Sequence, residues 1–113
     1  MFNLFKSTGN AGSQNLTPAQ FAEGLRQPGA VLVDVRRPEE YGQGHLSGAV
    51  NIEVTAPDFA QRTAALDKSA PTSLYCRSGA RSATAAKQLA QAGFTNVHHL
   101  LGGVLDWPQA LTR

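Results

Sequence analysis

The residues best suited to chemistry lie in one short stretch around the only cysteine of the chain, Cys76. Arg77 follows it directly, Gly79 lies three positions on, and Arg81 lies five positions on. Arginine charges and the unpaired N–H groups at the start of a helix favour a thiolate over a neutral thiol. Gly79 permits a tight turn and leaves room for an anion above the sulfur. This pattern predicts a nucleophilic cysteine in an anion-binding loop, whereas the competing interpretation is a small, inert, buried Cys.

Two predicted elements must position this cysteine. Ser73 to Tyr75 is a short apolar and aromatic run typical of a buried strand, and it delivers Cys76 at its end. A helix is predicted from about Arg81 to Ala92, because small apolar residues recur there at helical spacing and Gly93 ends the pattern. Cys76 is therefore expected at a strand-to-helix junction.

A second polar site, formed by Asp34 and Arg36, lies at the end of another largely apolar run, Val31 to Arg36. The run is apolar on both faces, as in a parallel strand covered on each side, so its Asp34 is expected to be buried. A buried carboxylate must be paired or hydrogen-bonded, and Arg36 is within reach. We interpret Asp34 and Arg36 as organisers of a loop, with a general base as the alternative. A short helix should follow from Pro38.

The remaining elements complete an alternating order of strands and helices. Thr17 should cap a helix with Pro18 first and Gln20 third, after a short edge strand at Asn15-Leu16. Further segments are a strand at Ala49 to Ile52, a helix within Pro57 to Leu66, a strand at Val97 to Leu101, and a terminal helix whose Val104, Leu105, Trp107 and Leu111 cover the core. Such alternation predicts a three-layer α/β/α fold, with a parallel sheet of about five strands and helices on both faces. Function in such folds collects at the carboxyl ends of strands.

Composition narrows the class of protein. The 113 residues suit one domain, which we place at residues 15–113 after a flexible extension at residues 1–14. A net charge of +2, with scattered basic residues, predicts no nucleic-acid partner. We expect no membrane segment, no secretory signal, a cytoplasmic location and a monomer. One cysteine leaves no intramolecular disulfide, and His98 and His99, adjacent on a strand, should point to opposite faces rather than share a metal.

Four blocks in order give the chain its resemblance to a family. They are Val33-Asp34-Val35-Arg36 with Pro38-Glu39-Glu40-Tyr41, then Gly44-His45-Leu46-Ser47-Gly48-Ala49-Val50-Asn51, then Tyr75-Cys76-Arg77-Ser78-Gly79-Ala80-Arg81-Ser82, and finally Leu101-Gly102-Gly103 with Trp107. From about Leu16 to Leu111 the chain resembles a single-domain rhodanese, a thiosulfate sulfurtransferase.

The resemblance implies a mechanism and a site. Cys76 would be the nucleophile that carries a persulfide between half-reactions, and the loop of Arg77, Ser78, Gly79, Ala80 and Arg81 would bind the substrate, with the two arginines as anion binders. Asp34, Arg36 and Ser82 would support the loop. The expected partners are a small anionic sulfur donor such as thiosulfate and an acceptor such as cyanide, a thiol or a protein thiol. No metal or organic cofactor would be needed.

Two other functions stay open at this point. The first is a persulfide carrier or protein-interaction module that a partner protein loads. The second is a cysteine phosphatase or arsenate reductase, whose active-site loop requires five residues between the cysteine and the arginine. Here four residues separate Cys76 from Arg81, and the shorter loop favours sulfur over a tetrahedral oxyanion.

Overall fold

The computed structural model describes residues 14–113 as a five-stranded parallel sheet. The strands follow one another across the sheet in the order β1-β5-β4-β2-β3. Their bounds are β1 Gln14–Leu16, β2 Val31–Asp34, β3 Val50–Asn51, β4 Thr72–Tyr75 and β5 Val97–Leu100. The predicted strand number and parallel direction are confirmed, and β1 lies at an edge of the sheet as expected.

Helices cover both faces of this sheet. The bounds are α1 Pro18–Leu25, α2 Pro38–Gln43, α3 Phe59–Thr63 and α4 Ala80–Gln91. Successive residues of a strand point to opposite faces, so Val33 of β2 packs with α3 and α4 while Leu32 packs with Phe21 of α1. Two apolar clusters therefore sandwich the sheet, and the predicted three-layer α/β/α architecture is confirmed.

Local sequence signals explain where the first and fourth helices begin. The Thr17 hydroxyl accepts a hydrogen bond from the Gln20 amide at 3.3 Å, and the Gln20 side chain accepts one from the Thr17 amide at 3.0 Å. This is the predicted capping box. Gly79 precedes α4 with φ +110°, a left-handed value that favours glycine.

The chain end differs from the prediction of a terminal helix. Only a four-residue 3₁₀ helix forms, Gly103–Asp106, and Trp107 is already extended because the following Pro108 disfavours helical backbone before it. Leu105 and Leu111 are 61% and 40% exposed rather than part of the core. Trp107 does pack, edge-on against Phe21 with ring centroids 6.0 Å apart.

Gln14, the first residue of β1, lies one position inside the predicted amino-terminal extension. The rest of that prediction concerns residues 1–13, which lie outside the described part of the chain. Within residues 14–113, none of the helices has the length and apolar character needed to span a membrane.

Candidate active site

The parallel register brings the two polar sites of the sequence to one edge of the sheet. Asp34 pairs with Tyr75 in the ladder between β2 and β4, so the segments that follow these residues leave the sheet side by side. Cys76 comes directly after β4 and α4 begins at Ala80, as the strand-to-helix prediction required. Residues 76–82, which comprise the turn between them and the first turn of α4, are called the cysteine loop below.

Hydrogen-bond donors of the cysteine loop converge on the sulfur. The backbone N–H of Gly79 lies 3.1 Å from Cys76 Sγ and that of Ser82 lies 3.3 Å away. The Ser82 Oγ is 3.5 Å from the same sulfur. Burial alone would raise the pKa of the Cys76 thiol, but the Ser82 hydroxyl and the amides of Ser82, Gly79 and Ser78 outweigh it and lower that pKa. The loop therefore favours a thiolate.

The sulfur is buried as well as hydrogen-bonded, because Cys76 is only 1% exposed. Its side chain adjoins the apolar cluster of Val33, Leu74 and Ala86. Apolar burial without donors would give an inert thiol, so the inward-facing amides distinguish this cysteine from a packing residue.

The 3₁₀ helix holds the outer side of the cysteine loop. The N–H of Val104 donates to Cys76 O at 3.0 Å, and that of Leu105 donates to Arg77 O at 3.2 Å. With these carbonyls turned toward residues 104 and 105, N–H groups of the loop are left facing inward. The sequence identified Gly102-Gly103 as a turn but carried no signal that this turn supports the cysteine loop.

The two arginines of the loop have different surroundings. Arg77 is exposed, whereas Arg81 forms a bidentate ion pair with Glu40 of α2, at 2.7 and 3.0 Å. The hydrogen bonds from Arg81 lower the pKa of Glu40 to about 2. An open groove of about 380 Å³ lies beside this pair, lined by Arg37, Glu39, Glu40 and Arg81. One of the two predicted anion binders is thus already neutralised in part.

Asp34 and Arg36 form a buried ion pair. Arg36 Nη2 lies 2.7 Å from Asp34 Oδ2, its Nε contacts both carboxylate oxygens, and its amide donates to Oδ1 at 2.9 Å. The same guanidinium donates to the carbonyl of Gly44 at 2.6 Å. Asp34 thus has both carboxylate oxygens occupied, and it holds Arg36 in the position from which Arg36 ties the loop after β2 to the segment before β3. This geometry favours an organiser over a general base.

A hydrogen-bond chain that the sequence did not reveal leads away from Cys76. Ser82 Oγ lies 2.9 Å from His99 Nδ1, and His99 Nε2 lies 2.7 Å from Asn15 Oδ1. His98 points to the opposite face, where it contacts Ser73 Oγ at 2.7 Å and the Phe21 ring. The predicted opposite orientation of the two histidines is correct, but only the strand order brings His99 to Ser82. Among residues 14–113, no cluster of three or more His, Cys, Asp or Glu side chains could hold a metal ion.

Comparisons with known proteins show which family the chain belongs to. The family described as "Rhodanese-like domain" matches residues 17–110. A relative from Pseudomonas entomophila, named thiosulfate sulfurtransferase GlpE, is 41% identical over 95 residues, covering 83% of this chain and 84% of the relative. The uncharacterized protein YqhL of Bacillus subtilis is 37% identical over 94 residues, which cover 83% of this chain and 71% of that protein.

Solved structures show the same fold. A rhodanese-related protein from Thermoplasma volcanium superposes with a TM-score of 0.76 at 24% identity, covering 88% of this chain and 97% of that one. The Alr3790 protein from Anabaena gives a TM-score of 0.71 at 27% identity, covering 81% of this chain and 74% of that one. With the family match spanning most of its length, this chain belongs to the rhodanese-like domain family, whose curated relatives here include sulfurtransferases.

Proposed function

We propose that the protein is a sulfurtransferase that moves a sulfane sulfur from thiosulfate, through a persulfide on Cys76, to a thiophilic acceptor. The observation that carries this proposal is the convergence of the Gly79 and Ser82 amides and the Ser82 hydroxyl on Cys76 Sγ. The relatives named thiosulfate sulfurtransferase support the same choice of donor.

In the first half-reaction the Cys76 thiolate attacks the outer sulfur of thiosulfate. A new S–S bond forms on Cys76 while the S–S bond of thiosulfate breaks, and sulfite leaves with the electron pair of that bond. In the second half-reaction cyanide attacks the terminal sulfur of the persulfide, thiocyanate leaves, and the Cys76 thiolate is restored. A small thiol or a protein thiol can replace cyanide as the acceptor.

The cysteine loop would serve both steps by stabilising negative charge. Amides fixed by the fold need no reorganisation when charge moves from one sulfur to the next. The exposed Arg77 is placed to attract an anionic donor, and Ser78, Ala80 and Arg81 complete the loop that would hold it. The buried Asp34–Arg36 pair acts at a distance, by fixing the neighbouring loop.

Intact mass spectrometry tests this function directly. Thiosulfate should add about 32 Da, one sulfur atom, to the wild-type chain, and cyanide should remove it. Cys76→Ser should show no gain, and the steady-state kinetics of the wild type should be ping-pong. Full sulfurtransferase activity in Cys76→Ser would contradict the mechanism.

A persulfide carrier loaded by a partner protein is the second candidate. Leu101 and Leu105, 52% and 61% exposed, flank the glycine turn that supports the cysteine loop, and exposed apolar residues near a reactive sulfur suit protein contact. Loading rates from thiosulfate, mercaptopyruvate and a cysteine desulfurase separate the two. Fast loading by the desulfurase alone would identify a carrier, whereas fast loading by thiosulfate would identify the enzyme.

The phosphatase alternative predicts a different activity. Four residues between Cys76 and Arg81 make a small loop, and Arg81 is engaged with Glu40. We therefore expect no Cys76-dependent hydrolysis of p-nitrophenyl phosphate, and hydrolysis that disappears in Cys76→Ser would instead establish phosphatase chemistry.

A further inference from the structure

Three side chains from separate parts of the chain link the nucleophilic sulfur to the edge of the sheet. The hydrogen bonds run from Cys76 Sγ to Ser82 Oγ at 3.5 Å, from Ser82 Oγ to His99 Nδ1 at 2.9 Å, and from His99 Nε2 to Asn15 Oδ1 at 2.7 Å. Ser82 is fully buried and His99 is 3% exposed. Asn15 lies on the edge strand β1, which pairs with β5.

The direction of these hydrogen bonds follows from the chemistry of the groups. A carboxamide oxygen only accepts, so the Asn15 Oδ1 contact requires a hydrogen on His99 Nε2. Burial lowers the pKa of His99 and favours the neutral ring, in which Nδ1 is then an acceptor. Ser82 has a single hydroxyl hydrogen and two acceptors in reach, Nδ1 at 2.9 Å and Gly79 O at 3.2 Å. The nearer and more basic nitrogen takes it.

The same hydroxyl then presents its lone pairs to Cys76. A neutral thiol can donate to them. A thiolate has no proton to donate, and its negative charge is repelled by lone pairs, so it requires the hydroxyl hydrogen to point toward the sulfur. Two coupled proton transfers along these hydrogen bonds reverse the direction of the Ser82–Cys76 hydrogen bond. The thiol proton passes to Ser82 Oγ, the original Ser82 proton passes to His99 Nδ1, and the products are a thiolate, an unchanged hydroxyl that now donates to it, and an imidazolium.

We propose that Ser82 and His99 form a proton relay for Cys76, with Asn15 fixing the tautomer of the His99 ring. The relay rests on the proposed function in so far as Cys76 is the nucleophile. It explains where the thiol proton goes inside a buried site, because the imidazolium holds the proton and its charge balances the thiolate. His99 is a positioning residue in this scheme, since it reaches the sulfur only through Ser82.

The other charged and titratable groups around the relay cannot replace His99 as the proton acceptor. From α4, Arg81 interacts electrostatically with Cys76 but is ion-paired with Glu40 of α2. At the end of β2, Asp34 and Arg36 are bonded to each other. Arg77 of the loop is exposed. On β5, His98 faces the opposite side of the sheet, against Phe21 of α1. On β4, the Tyr75 hydroxyl accepts a hydrogen bond from the amide of Leu46 at 3.0 Å.

The test is the pH dependence of Cys76 alkylation by iodoacetamide, which needs no sulfur donor. His99→Asn keeps a polar group near the position of Nδ1 but cannot hold a proton, so the acid side of its rate profile should move up by roughly one pH unit, about a tenfold slower reaction on that side. His98→Asn is the matched control on the other face and should keep the wild-type profile.

Asn15 provides a second pair of variants at an exposed position, should His99→Asn fail to fold. Asn15→Asp places a carboxylate against Nε2 and stabilises the imidazolium, so its profile should move to lower pH. Asn15→Ala removes the acceptor and should move it to higher pH. Superimposable profiles for wild type, Asn15→Asp and Asn15→Ala would overturn the relay.

Ring nitrogen chemical shifts of His99 give an independent readout, because they report which nitrogen carries the hydrogen. The neutral ring should be protonated on Nε2, and a neutral ring protonated on Nδ1 would also overturn the proposal. Neither measurement involves thiosulfate. A protein that shows the relay but gains no sulfur from thiosulfate would contradict the proposed donor alone.

Discussion

Gly103 lies so close to Cys76 that a Cβ added to this glycine would sit 2.6 Å from the Cys76 carbonyl oxygen. Real Cβ atoms do not approach a carbonyl oxygen this closely, and the φ of Gly103 is +61°, in the left-handed region. The close contact lets the amides of the 3₁₀ helix reach the outer carbonyls of the cysteine loop. The shape of the nucleophile's loop thus depends on a glycine 27 positions further along the chain.

Gly103→Ala should therefore distort the cysteine loop. We expect a loss of roughly 2 to 4 kcal/mol in the free energy of unfolding, from backbone strain together with the displaced carbonyls, and a large loss of alkylation rate at Cys76. Chemical denaturation and the iodoacetamide rate measure the two effects. Gly29→Ala is the matched control, since Gly29 has φ +76° but nothing within 4 Å of an added Cβ. Equal effects of the two substitutions would show that strain alone, not contact with the loop, matters.

Glu40→Gln should remove the acid-dependent part of the stability that the Arg81 pair provides. The hydrogen bonds from Arg81 lower the pKa of Glu40 from 4.5 to about 2. A carboxylate whose pKa is lower in the folded state than in the unfolded state stabilises the fold at pH values above the unfolded-state pKa. This stabilisation is lost as the pH falls from 4.5 toward 2. Both side chains are about a quarter to a third exposed, so solvent limits the contribution to about 1 kcal/mol.

The measurement is the free energy of unfolding of wild type and Glu40→Gln at neutral pH and near pH 3. The difference between the two proteins should shrink in acid. Glu23→Gln, which removes a far more exposed pair with Arg26, is the control and should change little at either pH. A wild-type advantage that persists unchanged in acid would contradict the assignment.

Ser82→Ala should raise the pKa of the Cys76 thiol. The substitution removes the hydroxyl at 3.5 Å from Sγ but keeps the Ser82 amide, so the effect should be partial. Because the thiolate is then less favoured, we expect alkylation several-fold to tenfold slower at neutral pH, with rates converging at high pH where the thiol is ionised in both proteins. Thr84→Ala, an exposed hydroxyl on the same helix, is the control. A rate ratio that stays constant across the pH range would point to altered access instead.

Arg77→Ala should weaken the binding of anionic sulfur donors. Arg77 is exposed in the cysteine loop, so its charge should act mainly by attracting the anionic donor from solution. We expect a several-fold higher KM for thiosulfate, a smaller change in kcat, and a weaker dependence of loading on salt concentration. Arg26→Ala, at the residue that caps the carboxyl end of α1 and outside the cysteine loop, is the control. An unchanged KM with reduced kcat would assign Arg77 to the chemical step.

Much of this protein follows from its sequence, because the rules involved act over a few residues. The Thr17 capping box, the alternation of strands and helices, and the position of Cys76 between a buried strand and a helix all depend on neighbours along the chain. The predicted terminal helix is wrong, because Pro108 disfavours helical backbone at Trp107 and this local effect outweighs the apolar spacing of Val104 and Leu105.

The tertiary structure decided which distant residues surround the sulfur. Glu40 meets Arg81 across 41 positions and Asn15 meets His99 across 84, and neither contact has a local signature. Both depend on the order in which the strands lie side by side and on their register. Sequence spacing predicts that a strand exists, but the choice of its neighbours is settled by the packing of the whole sheet against its helices.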